Sequence, residues 1–141
     1  MRKRGEMQHF TIPGRLEGMN SLVLANRTNR FMGAKVKRSN TDLCAWSIRA
    51  AKLKPVERYP VMICIHWTEQ NARRDPDNVA SAKKFILDGL QEAGVLVNDG
   101  PKQIRSFVDT FSVDSHSPGV TVTIYEAGDP LPPASTTLPA N

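Results

Sequence analysis

The sequence has few of the features that mark secreted, membrane-bound or disulfide-rich proteins. Only two of its 141 residues are cysteines, Cys44 and Cys64, and their spacing fits no metal-binding or redox motif. No apolar stretch approaches the roughly 18 residues of a membrane span. The basic N-terminus is not followed by the apolar segment that a secretory signal requires. We therefore expect a cytoplasmic protein with reduced thiols in its core and no membrane partner.

Several common catalytic and recognition motifs are also absent. There is no Gly-x-Ser-x-Gly, no Walker phosphate-binding loop and no Gly-x-Gly-x-x-Gly. Aromatic residues make up only 6% of the chain, which disfavours an RNA-binding accessory domain built on stacked aromatic side chains. His9 and His116 have no partners at metal-ligand spacing, and we expect His66 to be a hydrogen-bonded residue of a buried strand.

Positive charge is concentrated at the start of the chain. Residues 1–38 contain nine Lys and Arg against two acidic residues, whereas the remainder contains ten basic and twelve acidic residues. A basic arm beside an acidic centre suits a protein that binds phosphates with one part and a metal with another. A solvated basic loop explains the charge equally well. The pattern of residues 13–38 predicts a long basic loop that can contain a short strand at Ser21–Ala25.

Apolar periodicity in the rest of the chain predicts an α+β fold, a mixed sheet with two helices packed on it. One helix is expected from about Asn40, capped by Asn40 or Thr41, to Leu53, with Trp46 on its buried stripe. The second is expected from Asn78 to Ala93, with Gly94 just after its end. Strands are expected at 10–12, 59–68, 106–113 and 120–126. The second of these has two apolar faces and should be central. A single domain over residues 1–127 should precede a disordered Pro/Ser/Thr-rich tail at 128–141.

Three aspartates around the second helix form the candidate site. Asp75 and Asp77 flank Pro76 in front of the helix, where Asn78 is expected to be the N-cap. Alternate side chains of an extended loop point the same way, so both carboxylates can reach one cation. A helix of about 16 residues is about 24 Å long, and a return segment of six residues covers at most about 20 Å. This spacing permits Asp99 to join the pair but does not require it.

The chemistry of these residues points to a metal. Clustered carboxylates repel one another unless a cation lies among them, and oxygen ligands suit Mg²⁺ or Mn²⁺. Lys83 or Lys84 could neutralise charge on a phosphate. Asp88 lies four residues after Lys84, so a surface ion pair is a competing use of that lysine. Without further signals, an Asp-x-Asp-Asn segment is more often a polar turn than a metal site.

The string RRDPDN, followed by KK, DGL, AGV, ND and QI, resembles the RusA family of Holliday-junction resolvases, many of which are encoded by phages and prophages. Asp75 and Asp77 match the two metal-binding aspartates of the family motif, and Asp99 matches its third acid. The family usually has Asp-Asp where this chain has Asn98-Asp99. Counting back from Asp88 maps the family lysine to Lys84, and Lys83 is the alternative. The helix carries about three extra residues here, so counting forward from Asn78 does not reach either lysine. The similarity is specific over residues 73–104 and weaker over most of residues 9–126.

The resemblance implies a RusA-like fold and a homodimeric, Mg²⁺-dependent endonuclease that resolves four-way DNA junctions by paired nicks in recombination and repair. Asp75, Asp77 and Asp99 would hold one or two metal ions, and Lys84 would assist catalysis. There are two alternatives: a metal-dependent nuclease for other branched DNA, which would use the same acids, and a non-catalytic junction-binding protein, for which the basic arm would suffice. The residues expected to contact the DNA backbone are Arg73, Arg74, Lys83, Arg27, Arg30, Lys35, Lys37 and Arg38.

Overall fold

A computed structural model describes residues 7–132 as a four-stranded mixed sheet with helices packed on one face. The α+β class is therefore confirmed. In chain order the elements are β1 (Gln8–Pro13), α1 (Met19–Thr28), α2 (Arg30–Ala50), β2 (Val61–Glu69), α3 (Pro76–Ala80), α4 (Lys83–Glu92), β3 (Ile104–Val113) and β4 (Gly119–Tyr125). No helix among the residues described is both long and apolar enough to cross a membrane.

The sheet has the strand order β1-β4-β2-β3. β4 pairs antiparallel with β1 and with β2, whereas β3 pairs parallel with β2. The parallel pair is connected through α3 and α4, and the turn that contains Asp75 and Asp77 therefore follows the carboxyl end of β2. Strand β2 lies inside the sheet, as its apolar sequence predicted.

The hydrophobic core lies between the helices and one face of the sheet. Val61, Ile63, Ile65 and Trp67 of β2 are buried there. They pack in the same cluster as Phe85, Ile86 and Leu90 of α4 and Cys44 and Ile48 of α2. Burial raises the pKa of the Cys44 thiol to about 12.

The opposite face of the sheet is not covered by the helices. Met62, Cys64 and His66 are only half-buried, so only one face of β2 is covered, and Cys64 is not the core thiol that was expected. The two ring nitrogens of His66 share hydrogen bonds with the hydroxyls of Thr110 and Ser112 on β3. His66 is thus hydrogen-bonded as predicted, and partial burial lowers its pKa.

Residues 13–38 differ most from the sequence prediction. Most of the expected basic loop is helical, because α1 covers the proposed short strand and α2 begins at Arg30 rather than Asn40. Asn29 caps α2 by accepting a hydrogen bond from the Met32 backbone NH. The helices approach closely at Gly33, where an added Cβ would lie 1.5 Å from the Asn26 amide oxygen. Residues 1–6, the remainder of the predicted arm, lie outside the described range.

The buried face of α2 also differs from the predicted stripe. Asn40 and Thr41 lie inside the helix and are buried, so neither is its cap. Trp46 was placed on the buried stripe, but 65% of it is exposed. The buried positions are Gly33, Asn40, Thr41, Cys44, Ala45, Ser47 and Ile48. Most of these residues are small or polar, so a search for large apolar side chains does not identify this face.

The second predicted helix is divided at Ser81 and Ala82 into the short α3 and the longer α4. Gly94 follows the end of α4 with a positive φ of 76°, as its predicted position requires. Beyond β4, Asp129 is buried and accepts a hydrogen bond from the Glu126 backbone NH. Buried contacts therefore extend past residue 128, where the tail was expected to begin, and residues 133–141 lie outside the described range.

Candidate functional site

The acidic turn is formed by Asp75 and Asp77 at the start of α3. Their backbone carbonyls accept hydrogen bonds from the NH groups of Val79 and Ser81, both at 3.0 Å. Their side chains are exposed, and neither carboxylate has a hydrogen bond or ion pair with another residue in the range 7–132. Two adjacent carboxylates therefore remain available to bind a cation.

Arg74 fixes the position of this turn. Its guanidinium donates two hydrogen bonds to the Glu69 carboxylate at the end of β2, at 2.7 and 2.9 Å, and a third to the Leu16 carbonyl at 3.0 Å. Both side chains of the ion pair are largely buried. Bidentate pairs of this kind fix orientation as well as charge. Arg74 is thus engaged within the protein, whereas the neighbouring Arg73, also predicted to contact DNA, is exposed.

Asn78 connects the acidic turn to α1. It lies inside α3 and is not its N-cap, which is Asp75. Its side-chain oxygen instead accepts a hydrogen bond from the Asn20 backbone NH at 3.2 Å. A Cβ added at Gly18 would lie 2.5 Å from the same oxygen, so the two segments are in tight contact. The start of α1 is therefore packed directly against the acidic turn.

The two helix lysines have different partners. Lys83 is half-buried, forms a 2.7 Å ion pair with Asp109 of β3 and lies 4.3 Å from the centre of the Phe107 ring. The other Asp109 oxygen accepts a hydrogen bond from the Trp67 indole at 2.8 Å. Lys83 therefore connects α4 to β3, and its contacts are those of a residue that stabilises the fold.

Lys84 is exposed and contacts two carboxylates. Its ammonium lies 3.1 Å from Asp88, as the i,i+4 spacing predicted, and 3.2 Å from Asp99. Its pKa is raised, first by the hydrogen bond to Asp88 and then, against the opposing effect of desolvation, by the hydrogen bond to Asp99. The segment after α4 thus turns back and brings the third candidate acid to the first turn of that helix. Of the two lysines, Lys84 contacts a residue of the predicted site.

The three aspartates suit a hard divalent cation by chemistry, since carboxylate oxygens are ligands that Mg²⁺ and Mn²⁺ prefer. Within residues 7–132, however, no three His, Cys, Asp or Glu side chains form a group that could hold a metal ion. The structure joins Asp99 to Lys84 but does not bring it together with Asp75 and Asp77. Ligation of one ion by all three requires them to move closer than they are here.

The predicted DNA-contacting residues of the N-terminal region lie on α1 and α2. Arg27, Arg30, Lys35 and Lys37 are exposed, and none makes an ion pair within the described part of the chain. Arg38 differs, since it binds Glu92 at 2.6 Å and Asp42 at 2.6 Å. Four unpaired basic residues are thus presented by helices rather than by a loop.

Three residues that organise the site had no distinctive sequence signal. Glu69 and Asp109 belong to no motif in the sequence, yet they bind Arg74 and Lys83 respectively. Gly18 gave no signal either, because its close contact with Asn78 depends on tertiary packing. The Lys84–Asp88 pair was the one supporting contact that residue spacing could indicate.

A scan of the chain against protein-family models found no match, and neither did a search of curated proteins. The chemistry and placement of these residues, together with the motif in residues 73–104, are what point to a function.

Proposed function

We propose that this protein is a metal-dependent endonuclease of the RusA type that resolves four-way DNA junctions in the cytoplasm during recombination and repair. The observation that supports this most is the position of the acidic turn. Asp75 and Asp77 present unpaired carboxylates at the base of a basic helical pair, α1–α2. A metal site beside phosphate-binding residues is the arrangement that phosphodiester hydrolysis needs.

Each residue has a defined part in this proposal. Asp75, Asp77 and Asp99 would supply oxygen ligands for Mg²⁺, for which Mn²⁺ can substitute, once Asp99 moves closer to the other two than it lies here. When bound, the metal supplies Lewis-acid activation of water and stabilises the departing 3′ oxygen. Lys84 neutralises the charge that develops on the phosphate. Lys83 holds α4 on the sheet through Asp109, and Arg74 holds the acidic turn through Glu69.

The backbone of the DNA would be held by charge rather than by base-specific contacts. Arg73 next to the turn and the four unpaired basic residues of α1 and α2 are placed to bind phosphates. Each phosphate contact releases counterions, so the affinity should fall steeply with salt.

We also propose a homodimer. A four-way junction is close to two-fold symmetric, and paired nicks need two identical sites related by the same symmetry. The uncovered face of the sheet suits contact with a second copy. Apart from Arg105 at the irregular start of β3, it carries no Asp, Glu, Lys or Arg within the four strands, so two copies would repel each other little there. Its side chains are His9, Thr11, Met62, Cys64, His66, Thr68, Ser106, Val108, Thr110, Ser112, Thr121, Thr123 and Tyr125.

A comparison of substrates separates junction resolution from cutting of other branched DNA. We expect the protein, in Mg²⁺, to cut a synthetic four-way junction at least about ten-fold faster than a flap or a linear duplex of the same sequence. Rates are measured with each strand end-labelled in turn. Equal or faster cutting of flaps would favour the branched-DNA nuclease, and binding without any cutting would favour the non-catalytic protein.

A further inference from the structure

The corner between α1 and α2 has an unusual side chain for a protein surface. Phe31 is 88% exposed, the highest value among the large hydrophobic residues in the described part of the chain. Leu24, also on this helical pair, is 66% exposed. An aromatic ring held in solvent at this level contributes nothing to the core, and large exposed apolar side chains grouped on one helical pair mark a candidate interaction site.

The positive charge around Phe31 restricts which kind of partner can bind there. Residues 18–41 contain five basic residues and no acidic one. Arg30 is adjacent to Phe31, and Arg27 lies in the last turn of α1. A second copy of the chain would bring the same positive charge and be repelled. The partner must therefore be anionic and also offer a flat apolar surface for the phenyl ring.

Nucleic acid with an unstacked base has both properties. Stacking of a base on an aromatic side chain stabilises binding regardless of base identity, and arginines beside the ring bind the adjacent phosphates. An anionic membrane fits less well, because interfacial helices bury a continuous apolar face. Here the exposed apolar residues Val23, Leu24, Phe31 and Met32 lie on two helices and are separated along the chain by Arg27 and Arg30.

The fold also connects this corner to the acidic turn. Asn20, near the start of α1, is hydrogen-bonded to Asn78, and α1 continues from there to Thr28. Eight residues of helix cover about 12 Å. Successive nucleotides of one strand are about 3.4 Å apart, so this length corresponds to three or four nucleotides. Helix α1 is thus a rigid spacer between the candidate cutting residues and the aromatic corner.

We propose that Phe31 stacks on an unpaired or distorted base at the branch point of the DNA, while Arg27 and Arg30 hold the flanking phosphates. This inference extends the proposed function by naming the element that distinguishes branched from linear DNA. Cutting is then directed to phosphates a few nucleotides from the branch, at the distance that α1 sets.

The test is binding of the full chain to a fluorescent four-way junction and to a linear duplex of the same sequence, in the presence of a chelator. We expect Phe31→Ala to weaken junction binding about ten-fold or more and duplex binding by less than about two-fold. Phe31→Trp should retain junction binding. The matched control is Trp46→Ala, which removes an exposed aromatic ring from the other end of α2 and should change neither affinity. The salt dependence of the binding affinity reports phosphate contacts. Phe31→Ala removes none of these contacts, so it should leave the salt dependence of junction binding unchanged.

A base analogue whose fluorescence depends on stacking, 2-aminopurine, is placed at successive positions around the branch. We expect a protein-dependent change at the branch that disappears in Phe31→Ala. Equal loss of affinity for both DNAs, no loss at all, or the same loss in Trp46→Ala would overturn the inference. Phe31-dependent binding to anionic phospholipid vesicles with unchanged junction binding would also overturn it. These readouts do not involve cutting, so a protein that binds junctions through Phe31 but never cuts them would contradict only the nuclease proposal.

Discussion

Replacement of Asp77 by Asn should abolish junction cutting while leaving junction binding intact. The carboxylate of Asp77 is exposed and makes no hydrogen bond or ion pair within residues 7–132, so the substitution should not disturb the fold. Loss of one charged metal ligand should lower the cutting rate about 100-fold or more. Junction affinity should stay within about three-fold or tighten slightly, because a negative charge near the DNA is removed. Cutting is measured on end-labelled junctions, and affinity by fluorescence anisotropy.

The matched control is Asp114→Asn. Asp114 is also an exposed aspartate, and its side chain accepts hydrogen bonds from the backbone NH groups of His116 and Ser117 in the β3–β4 turn. Asparagine can accept the same bonds, so this variant should cut at the normal rate. If Asp77→Asn cuts as fast as the unaltered chain, the acidic turn is not a catalytic site, and the interpretation as a polar turn is correct.

The two adjacent lysines should separate into one catalytic and one structural residue. Lys84→Ala should lower junction cutting about 100-fold, the usual effect of removing a group that stabilises charge in the transition state. Its side chain is 56% exposed, so the free energy of unfolding should change little. Lys83→Ala should retain cutting but reduce the free energy of unfolding by roughly 1–2 kcal/mol, because the half-buried Asp109 loses its cation.

Single-turnover cutting rates and urea unfolding, measured on both variants, distinguish these effects. The reverse result, in which Lys83→Ala loses cutting in a folded protein and Lys84→Ala does not, would reassign the functional lysine. Equal effects of both substitutions on cutting and on stability would show that neither has the proposed specific role.

The sheet and the helical segment that contains α3 and α4 could be predicted from sequence because large apolar residues define them. The strand alternation of Val61, Ile63, Ile65 and Trp67 placed β2 to within two residues at its start and one at its end. Gly94 likewise indicated where the helical segment ends. In these elements the local pattern and the tertiary packing agree, which is the condition under which sequence patterns are informative.

Helix α1 and the first ten residues of α2 could not be predicted in this way. Gly33 of α2 lies close to Asn26 of α1, and Gly18 before α1 lies close to Asn78 of α3, and apolar periodicity does not reveal such close contacts at glycine. Leu24 and Phe31 are on the exposed surface of α1 and α2, whereas large apolar side chains are usually buried. A helix pair of this kind departs from local rules, as functional surfaces often do.

The candidate site was predictable as a set of residues but not as a geometry. The resemblance of residues 73–104 to the RusA family selected Asp75, Asp77 and Asp99, whose spacing alone did not require a common site, and Lys84–Asp88 followed from helical periodicity. The distance between Asp99 and the acidic turn depends on how the segment after α4 folds back. That segment is held by contacts distant in sequence, such as the hydrogen bond from the Val97 backbone NH to the Tyr59 hydroxyl.

The most direct measurement of the central claim uses a four-way junction with all four strands end-labelled, incubated with the protein in Mg²⁺ and, in parallel, with a chelator. We predict two nicks at symmetry-related positions near the branch in Mg²⁺ and in Mn²⁺, and none with the chelator. Cutting that persists in the chelator, or no paired nicks with either metal, would contradict the claim that this chain is a metal-dependent junction resolvase.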